Sequence, residues 1–311
     1  MTTAVGAWRS RSLGRRIGYA LLPGDGFSYL LHLRPREWPI MAAHTLLGLV
    51  IAVGLHPVTL WIYAPTAVAV LVIWVLLLNG GTLAFNSAFD ADVDDVGYLD
   101  APPPPPRYLA LFGFALMLAG LLWSFAYPTP FLVAYALCFA MSILYSAPPA
   151  RLKAVPGADW VINIVGFGAL TPLAGWAITD RPMTRSALLI FVGFGALFAA
   201  LYPLTQLYQL DADARRGDRT LAILLGARRS LAVSLLSAIV AFACFAALAA
   251  IEGARASRWL ILGLALITWM AMLARWLTRA SAMEPAEHKR GMYSALAAWV
   301  LSDVAVLALF A

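Results

Sequence analysis

The sequence predicts an all-α polytopic membrane protein with about nine transmembrane helices. The chain has 311 residues, of which 62% are hydrophobic and 12% are charged, and its mean hydropathy is +0.80. A soluble domain of this size carries more polar surface. Apolar stretches of about 20 residues, enough to cross a bilayer as a helix, recur along the chain. Nine spans are expected, at 38–56, 60–83, 107–126, 129–147, 159–179, 186–208, 230–251, 258–277 and 292–310.

The basic residues are distributed unevenly between the segments that join these spans. With the N-terminus in the cytoplasm, 18 of the 22 Lys and Arg residues fall in inner segments and 4 in outer ones. This excess is typical of loops that stay in the cytoplasm. We therefore expect a bacterial cytoplasmic membrane protein with its C-terminus outside, in which 1–37 is a cytoplasmic segment and 38–311 a single transmembrane domain. The same asymmetry explains the net charge of +6 without a nucleic-acid partner.

The most unusual inner loop begins with the stretch 86–95, NSAFDADVDD. On a continued helix, Asn86, Asp90 and Asp94 are four residues apart and lie on one face. Asp is a poor helix former, and clustered carboxylates at a helix end repel one another unless a cation lies among them. The stretch therefore predicts a cation site.

A second acidic cluster, formed by Asp211, Asp213 and Asp218, follows a later span on the same predicted side of the membrane. Between the two clusters, a loop places Arg151 and Lys153 close together. Magnesium bridges carboxylates to phosphate oxygens, and Arg and Lys neutralise the remaining phosphate charge. The sequence thus predicts a Mg²⁺ site for an isoprenyl diphosphate at the cytoplasmic face, with the prenyl tail in the lipid bilayer. Solvated loops without a ligand are the alternative.

These motifs resemble those of the UbiA superfamily of intramembrane prenyltransferases. Asn86, Asp90 and Asp94 match the asparagine and the two later aspartates of its first motif, Asn-Asp-x-x-Asp-x-x-x-Asp. The segment 217–226, GDRTLAILLG, resembles the Gly-x-x-Thr-Leu tail of its second motif. The segment 145–153, YSAPPARLK, resembles its Tyr-x-x-Pro-Pro-x-x-x-Lys segment. Acidic motifs after the second and sixth of nine spans agree with the family's layout.

The resemblance implies a ring of transmembrane helices around a central cavity that is open to the lipid. It also implies Mg²⁺-dependent transfer of a prenyl group to an acceptor, which we expect to be aromatic, with release of diphosphate. The expected catalytic residues are Asp90, Asp94, Asp213 and Lys153, and the expected metal ligands are Asp90, Asp94, Asp211 and Asp213. The expected substrate-binding residues are Asn86, Tyr145, Arg151, Asn163, Gln209, Arg215 and Arg216. The rings expected to stabilise an allylic cation are those of Tyr145, Tyr202 and Tyr208.

Three features depart from the family pattern. Ser87 stands where the family has Asp after the first asparagine. Gln209 occupies the first acidic position of the second motif, so either its amide oxygen binds the metal beside Asp213 or Asp211 does so through a local kink. Five prolines at 102–106, which favour a stiff extended spacer, replace an Arg-Pro-rich segment. The basic contacts to the diphosphate then have to come from Arg151, Lys153, Arg215, Arg216 or Arg107.

His44 and Asp303 are ionisable residues that lie well inside predicted spans. His44, in the first span, is a candidate base for a proton of the acceptor, although a lone histidine in a span is more often a packed, hydrogen-bonded side chain. Asp303, in the last span, is expected to pair with another helix. The sequence alone does not decide between these roles.

Two other functions are compatible with the same motifs. A terpene cyclase of this superfamily would act on a prenyl diphosphate alone, and a divalent-cation transporter would use the acidic clusters for ion passage. Transport sites tend to lie near the midplane on interrupted helices, whereas both clusters fall at one predicted face. Prenyl transfer is therefore the leading prediction.

Overall fold

A computed structural model describes residues 12–90, 95–280 and 282–310. The described chain is helical, and its β-type pairing is limited to an isolated bridge between Val96 and Leu99. The helices are α1 (Leu13–Leu21), α2 (Gly26–His32), α3 (Trp38–Val53), α4 (Pro57–Ile62), α5 (Ala64–Asp90), α6 (Leu109–Ser124), α7 (Thr129–Ser146), α8 (Ala158–Ala177), α9 (Arg185–Gln206), α10 (Leu210–Arg216), α11 (Leu221–Ile251), α12 (Ala256–Arg279) and α13 (Pro285–Ala308).

Seven helices in the described residues are long and apolar enough to cross a membrane: α5, α7, α8, α9, α11, α12 and α13. The apolar helices α3 and α6 have 16 residues each, which is shorter than the usual span of about 20. The prediction of an all-α fold with many candidate spans is confirmed. The count of nine spans and the cytoplasmic position of the site stay predictions.

Three of the long helices are interrupted. Helices α5 and α8 contain π-helical turns at Leu71–Gly80 and Ile164–Leu170, a geometry that is frequent at functional sites. Helix α11 breaks at Gly226, whose φ of 70° lies in the left-handed region that glycine adopts without steric cost. The helix also begins nine residues before the span predicted at 230–251, which starts directly after Arg228 and Arg229.

The helices pack in two halves. Buried apolar side chains of α9, α11, α12 and α13 form one core, and those of α5, α7 and α8 form another. Helix α3 packs closely against α8. A Cβ added at Gly48 would collide with the carbonyl of Pro172, and a Cβ added at Gly175 would collide with the carbonyl of Thr45. Small residues of this kind let membrane helices approach closely. The boundary between the two halves is where the cavity lies.

Many large apolar side chains point outward from the bundle. Trp61, Leu236 and Ile267 are 81%, 64% and 63% exposed. An apolar surface this extensive is a liability in water, but it is the surface that lipid requires. The outside of the bundle therefore fits a bilayer.

The segment 95–101, called the clamp segment below, lies between α5 and α6 and is held by charged contacts. Lys289 of α13 donates hydrogen bonds to Asp95 at 2.9 Å and to Asp100 at 3.2 Å. Arg36, which precedes α3, donates to Asp100 at 3.0 Å. The five prolines that follow form neither helix nor strand. The clamp segment thus ties the first and last apolar helices together beside the cavity.

Candidate active site

A cavity of about 320 Å³ lies between the two halves of the bundle. The residues of its charged end lie near the ends of helices and in the loops that follow them. They are Asn86, Asp90, Arg151, Lys153, Gln209, Asp213 and Asp218. Its apolar end is built by aromatic residues from within helices, Trp74, Phe167, Phe198 and Trp299. Trp74 precedes Asp90 by about four turns on α5. The cavity therefore runs from a polar mouth into the interior of the bundle.

Asp90, the last residue of α5, forms an ion pair with Lys153. Asn86, one turn earlier, donates to Asp90 at 2.9 Å and accepts from Lys153 at 2.9 Å. Ser146 also donates to Asn86, at 3.1 Å. The first acidic motif and the basic loop thus meet, and the asparagine orients both charges.

Burial lowers the pKa of Lys153 below its ordinary value, although the neighbouring Asp90 acts in the opposite direction. The Lys153 side chain is 8% exposed. A buried ammonium that is held by one carboxylate is a suitable partner for a second anion, because its charge is poorly screened by water.

Arg151 connects the two acidic segments of the sequence. Its guanidinium donates to both carboxylate oxygens of Asp218, at 2.9 and 3.2 Å, and lies 3.6 Å from Asp90. Asp218 is buried and lines the cavity. The prediction that the two clusters share one site therefore agrees with this geometry.

The second acidic segment presents one face to the cavity. Gln209 and Asp213 line the cavity, and Asp213 is 5% exposed. Asp211 is exposed and does not line it, because Leu210–Arg216 stays helical without the kink that would turn this side chain inward. Of the two alternatives left open by the sequence, the structure brings Gln209 to the cavity.

Some of the predicted residues lie elsewhere. Arg215 and Arg107 are exposed and do not line the cavity. Asp94 lies outside the described residues, and so does the side chain of Arg216. Among the described residues, Arg151 and Lys153 contact the carboxylates of the charged end. Arg34, which the sequence reasoning did not single out, is also buried and lines the cavity.

The predicted tyrosines and Asn163 all line the cavity. The hydroxyl groups of Tyr145 and Tyr202 are hydrogen-bonded at 2.9 Å, and Tyr208 accepts from the Gln209 amide at 3.0 Å. Asn163 donates to the carbonyl of Asp159 at 2.8 Å. These side chains form the transition between the charged and the apolar ends.

Sequence reasoning missed the residues that hold the second acidic segment in place. Asp159, which is fully buried, accepts from Gln206 at 2.7 Å and from the backbone of Leu221 at 3.0 Å. Gln206 in turn accepts from the backbone of Ala222 at 3.1 Å. Two side chains from neighbouring helices thus cap α11. In the sequence, Asp159 is an acidic residue that follows a Pro-Gly turn at the start of a predicted span. That position was a usable signal that its carboxylate has a structural role.

The described part of the chain is thus a bundle of apolar helices, long enough in seven cases to cross a membrane, around a cavity with a charged end and an apolar end. The sequence matches the model of the UbiA prenyltransferase family over residues 41–299, and the chain belongs to this family. It is accordingly an integral membrane protein of a family of prenyltransferases, and the resemblance seen in the motifs is confirmed.

Several known proteins are similar to the chain. The lycopene elongase/hydratase of Haloferax volcanii is 28% identical over 239 residues, which cover 71% of this chain and 73% of that protein. The digeranylgeranylglyceryl phosphate synthase of Methanothrix thermoacetophila is 29% identical over 176 residues, which cover 54% of this chain and 62% of that protein. A UbiA homologue from Archaeoglobus fulgidus, solved with DMAPP and Mg²⁺, matches with a TM-score of 0.68 and 19% identity over 90% of this chain and 99% of that chain. At this identity the structural match concerns the fold.

Proposed function

We propose that the protein transfers a prenyl group from an isoprenyl diphosphate to an electron-rich unsaturated acceptor and depends on Mg²⁺. The observation that carries this proposal is the polarity of the cavity, in which the Asp90–Lys153–Arg151–Asp218 cluster continues into an aromatic interior. A diphosphate matches the first part and an isoprenoid tail the second.

The oxygen donors at the charged end fit magnesium. Asp90 and Asp213 offer carboxylates from different segments, and Gln209 offers an amide oxygen. Within the described residues no group of three or more His, Cys, Asp or Glu side chains is arranged to hold an ion. Magnesium at phosphate sites often uses one or two carboxylates and takes its other ligands from phosphate and water. Bound there, it would supply Lewis acidity to the leaving diphosphate.

Arg151 and Lys153 have the role of holding the diphosphate. Both already contact carboxylates across the mouth of the cavity, so a phosphate group entering there exchanges one anionic partner for another. Arg offers parallel donors and Lys a compact charge. Asn86 orients Lys153 through its side-chain oxygen. Asp94 stays a predicted metal ligand, and Arg215 and Arg216 stay predicted substrate-binding residues.

Departure of diphosphate leaves an allylic cation in the cavity, and the aromatic lining is suited to stabilise it. Tyr202 lies against Phe198 at a ring-centroid distance of 6.4 Å, and Phe198 stacks on Phe167 at 5.5 Å. Ring faces attract cations most strongly where water is excluded. The apolar wall also keeps water from the cation.

The acceptor has to fit the apolar end. An aromatic acceptor was expected from the sequence, and one similar protein is named for its action on lycopene, a polyene. Both classes supply the π electrons that a carbon cation attacks. We propose that the acceptor carries such electrons and that the mouth of the cavity faces the cytoplasm.

The test is product analysis on purified protein in lipid nanodiscs. Dimethylallyl, geranyl, farnesyl and geranylgeranyl diphosphates are each supplied with Mg²⁺, alone and with an aromatic or a polyene acceptor. We expect diphosphate release and a product of added prenyl mass that needs both the acceptor and the metal, and that EDTA abolishes. A hydrocarbon or alcohol from the donor alone indicates a cyclase instead. Divalent-cation flux without any prenyl product indicates a transporter.

A further inference from the structure

An ionisable pair lies in the cavity wall away from the charged end. His44, in the middle of α3, lines the cavity and is 3% exposed. Its Nδ1 lies 3.3 Å from a carboxylate oxygen of Asp303 on α13, and the two side chains are 4% and 10% exposed. The pair therefore joins α3 and α13 inside the bundle, where an ionisable residue is costly and usually functional.

Aromatic neighbours hold the imidazole in one orientation. Phe194 and Trp299 contact it edge-on, with ring centroids at 4.7 and 5.0 Å. Trp299 also lines the cavity. Since two rings and a carboxylate fix the imidazole, its second nitrogen cannot turn to find another partner without breaking these contacts.

That second nitrogen, Nε2, is buried and has no hydrogen-bond partner among the described residues. Buried polar atoms in proteins are nearly always paired, so an unpaired one points to a missing ligand or a catalytic role. When Asp303 accepts the Nδ1 proton, the neutral tautomer carries its lone pair on Nε2. The imidazole is then held in its orientation by a carboxylate, as in other histidine–carboxylate pairs.

We propose that His44 is the base that removes the proton from the prenylated acceptor and that Asp303 is its positioning residue. This inference rests on the proposed function. The carbon–oxygen bond of the donor breaks and its electron pair leaves with diphosphate. A π pair of the acceptor forms the new carbon–carbon bond, which leaves a cation on the acceptor. The adjacent C–H bond then breaks, its electron pair forms the double bond or restores the aromatic ring, and Nε2 takes the proton.

A histidine that serves packing alone is already present in the same molecule. His288, also buried and also on α13, accepts a hydrogen bond from Trp276 at 2.9 Å and does not line the cavity. It is a matched control, because its replacement removes a buried imidazole of the same bundle without touching the cavity.

The experiment compares wild type with His44→Gln, His44→Ala, Asp303→Asn and His288→Gln in nanodiscs with Mg²⁺, donor and acceptor. Diphosphate release and transfer product are measured separately. We expect His44→Gln and His44→Ala to lower transfer product by about 100-fold, within the range for a lost general base. Diphosphate release should fall much less, and the donor's carbon should appear as the alcohol formed by water. Imidazole should restore product to His44→Ala, and His288→Gln should resemble wild type.

Asp303→Asn should lower kcat for transfer while leaving KM for the donor unchanged, and Asp303→Glu should recover part of the loss. A role in packing alone would not shift the ratio of alcohol to transfer product. If the folded His44→Gln protein, as judged by its melting curve, makes wild-type amounts of transfer product, this inference is wrong. If wild type itself makes no transfer product, the proposed function is wrong as well.

Discussion

The two ends of the cavity obtain their polar groups in different ways. At the charged end, Asp90 and Asp218 are paired with Lys153 and Arg151, which come from a loop. At the apolar end, the His44–Asp303 pair comes from the bodies of two helices. Loop cations can exchange one anion for another, whereas a pair fixed between two helices stays in place and can exchange a proton. The difference suggests that binding and ionisation of the donor belong to the mouth and proton removal to the interior.

Removing a carboxylate from the charged end should lower the enzymatic activity more than any other change. In Asp90→Ala and Asp213→Ala the oxygen donors for the metal are lost, and we expect diphosphate release to fall by about 10²–10³-fold. Asp211→Ala is the control, because this exposed residue belongs to the same acidic segment but not to the cavity. Near-normal diphosphate release by either cavity variant would remove that residue from the metal site.

Breaking the buried ion pair of Lys153 should have the next largest effect. Lys153→Met leaves Asp90 without its ammonium, which in buried pairs costs about 3–5 kcal/mol of stability. We expect kcat/KM for the donor to fall about 100-fold. The double variant Lys153→Met/Asp90→Asn should regain thermal stability in a melting experiment but not activity. Recovery of turnover by the double variant would mean that the pair is structural.

Tyr202 lies between the charged and the apolar ends of the cavity, and its variants test whether its ring stabilises the cation. Its hydroxyl contacts Tyr145 and its ring lies beside Phe198. Tyr202→Leu should lower kcat about 10-fold, since the ring that faces the cation is lost, while Tyr202→Phe should change it less than about 3-fold. Steady-state kinetics with the same donor give both values. Equal losses in the two variants would assign the effect to the hydroxyl instead.

The smallest effect is expected outside the cavity, at the clamp segment. Burial alone would raise the pKa of Asp100, but hydrogen bonds from Lys289 and Arg36 outweigh it and hold that pKa below the ordinary value. The stabilisation is therefore complete above the unfolded pKa of about 3.9 and is lost as the pH falls through the lower folded value. Because the contacts are partly exposed, they are worth at most about 1 kcal/mol. Asp100→Asn should melt a few degrees lower than wild type at pH 7, by ~4 °C or less.

The pH series supplies the check on the clamp. Melting temperatures of wild type and Asp100→Asn should converge as the pH drops below about 3.9. A difference that persists unchanged in acid would mean that the carboxylate's charge does not hold the segment.

The sequence predicts the fold well because long apolar runs and a strong charge asymmetry are local signals. It predicts the charged end for a similar reason, since Asn86 and Asp90, like Gln209 and Asp213, lie one helical turn apart. It does not predict the helical state of 210–216, on which the choice between Gln209 and Asp211 depends. Contacts between distant segments, such as Arg151 with Asp218 or His44 with Asp303, leave no periodicity in the chain. These contacts arise when distant segments pack together, and that packing cannot be read from a single sequence.

Helix α13 has a consequence for how the protein is made. It provides Lys289, which holds the clamp segment, and Asp303, which contacts His44 at a separation of 259 positions along the chain. Insertion of spans during synthesis proceeds largely from the N-terminus. Both acidic segments therefore leave the ribosome before the helix that completes the opposite wall of the cavity. We expect the proposed transferase activity to appear only when α13, the last helix, has been inserted. A reactive cation is then not generated in an incomplete, hydrated cavity.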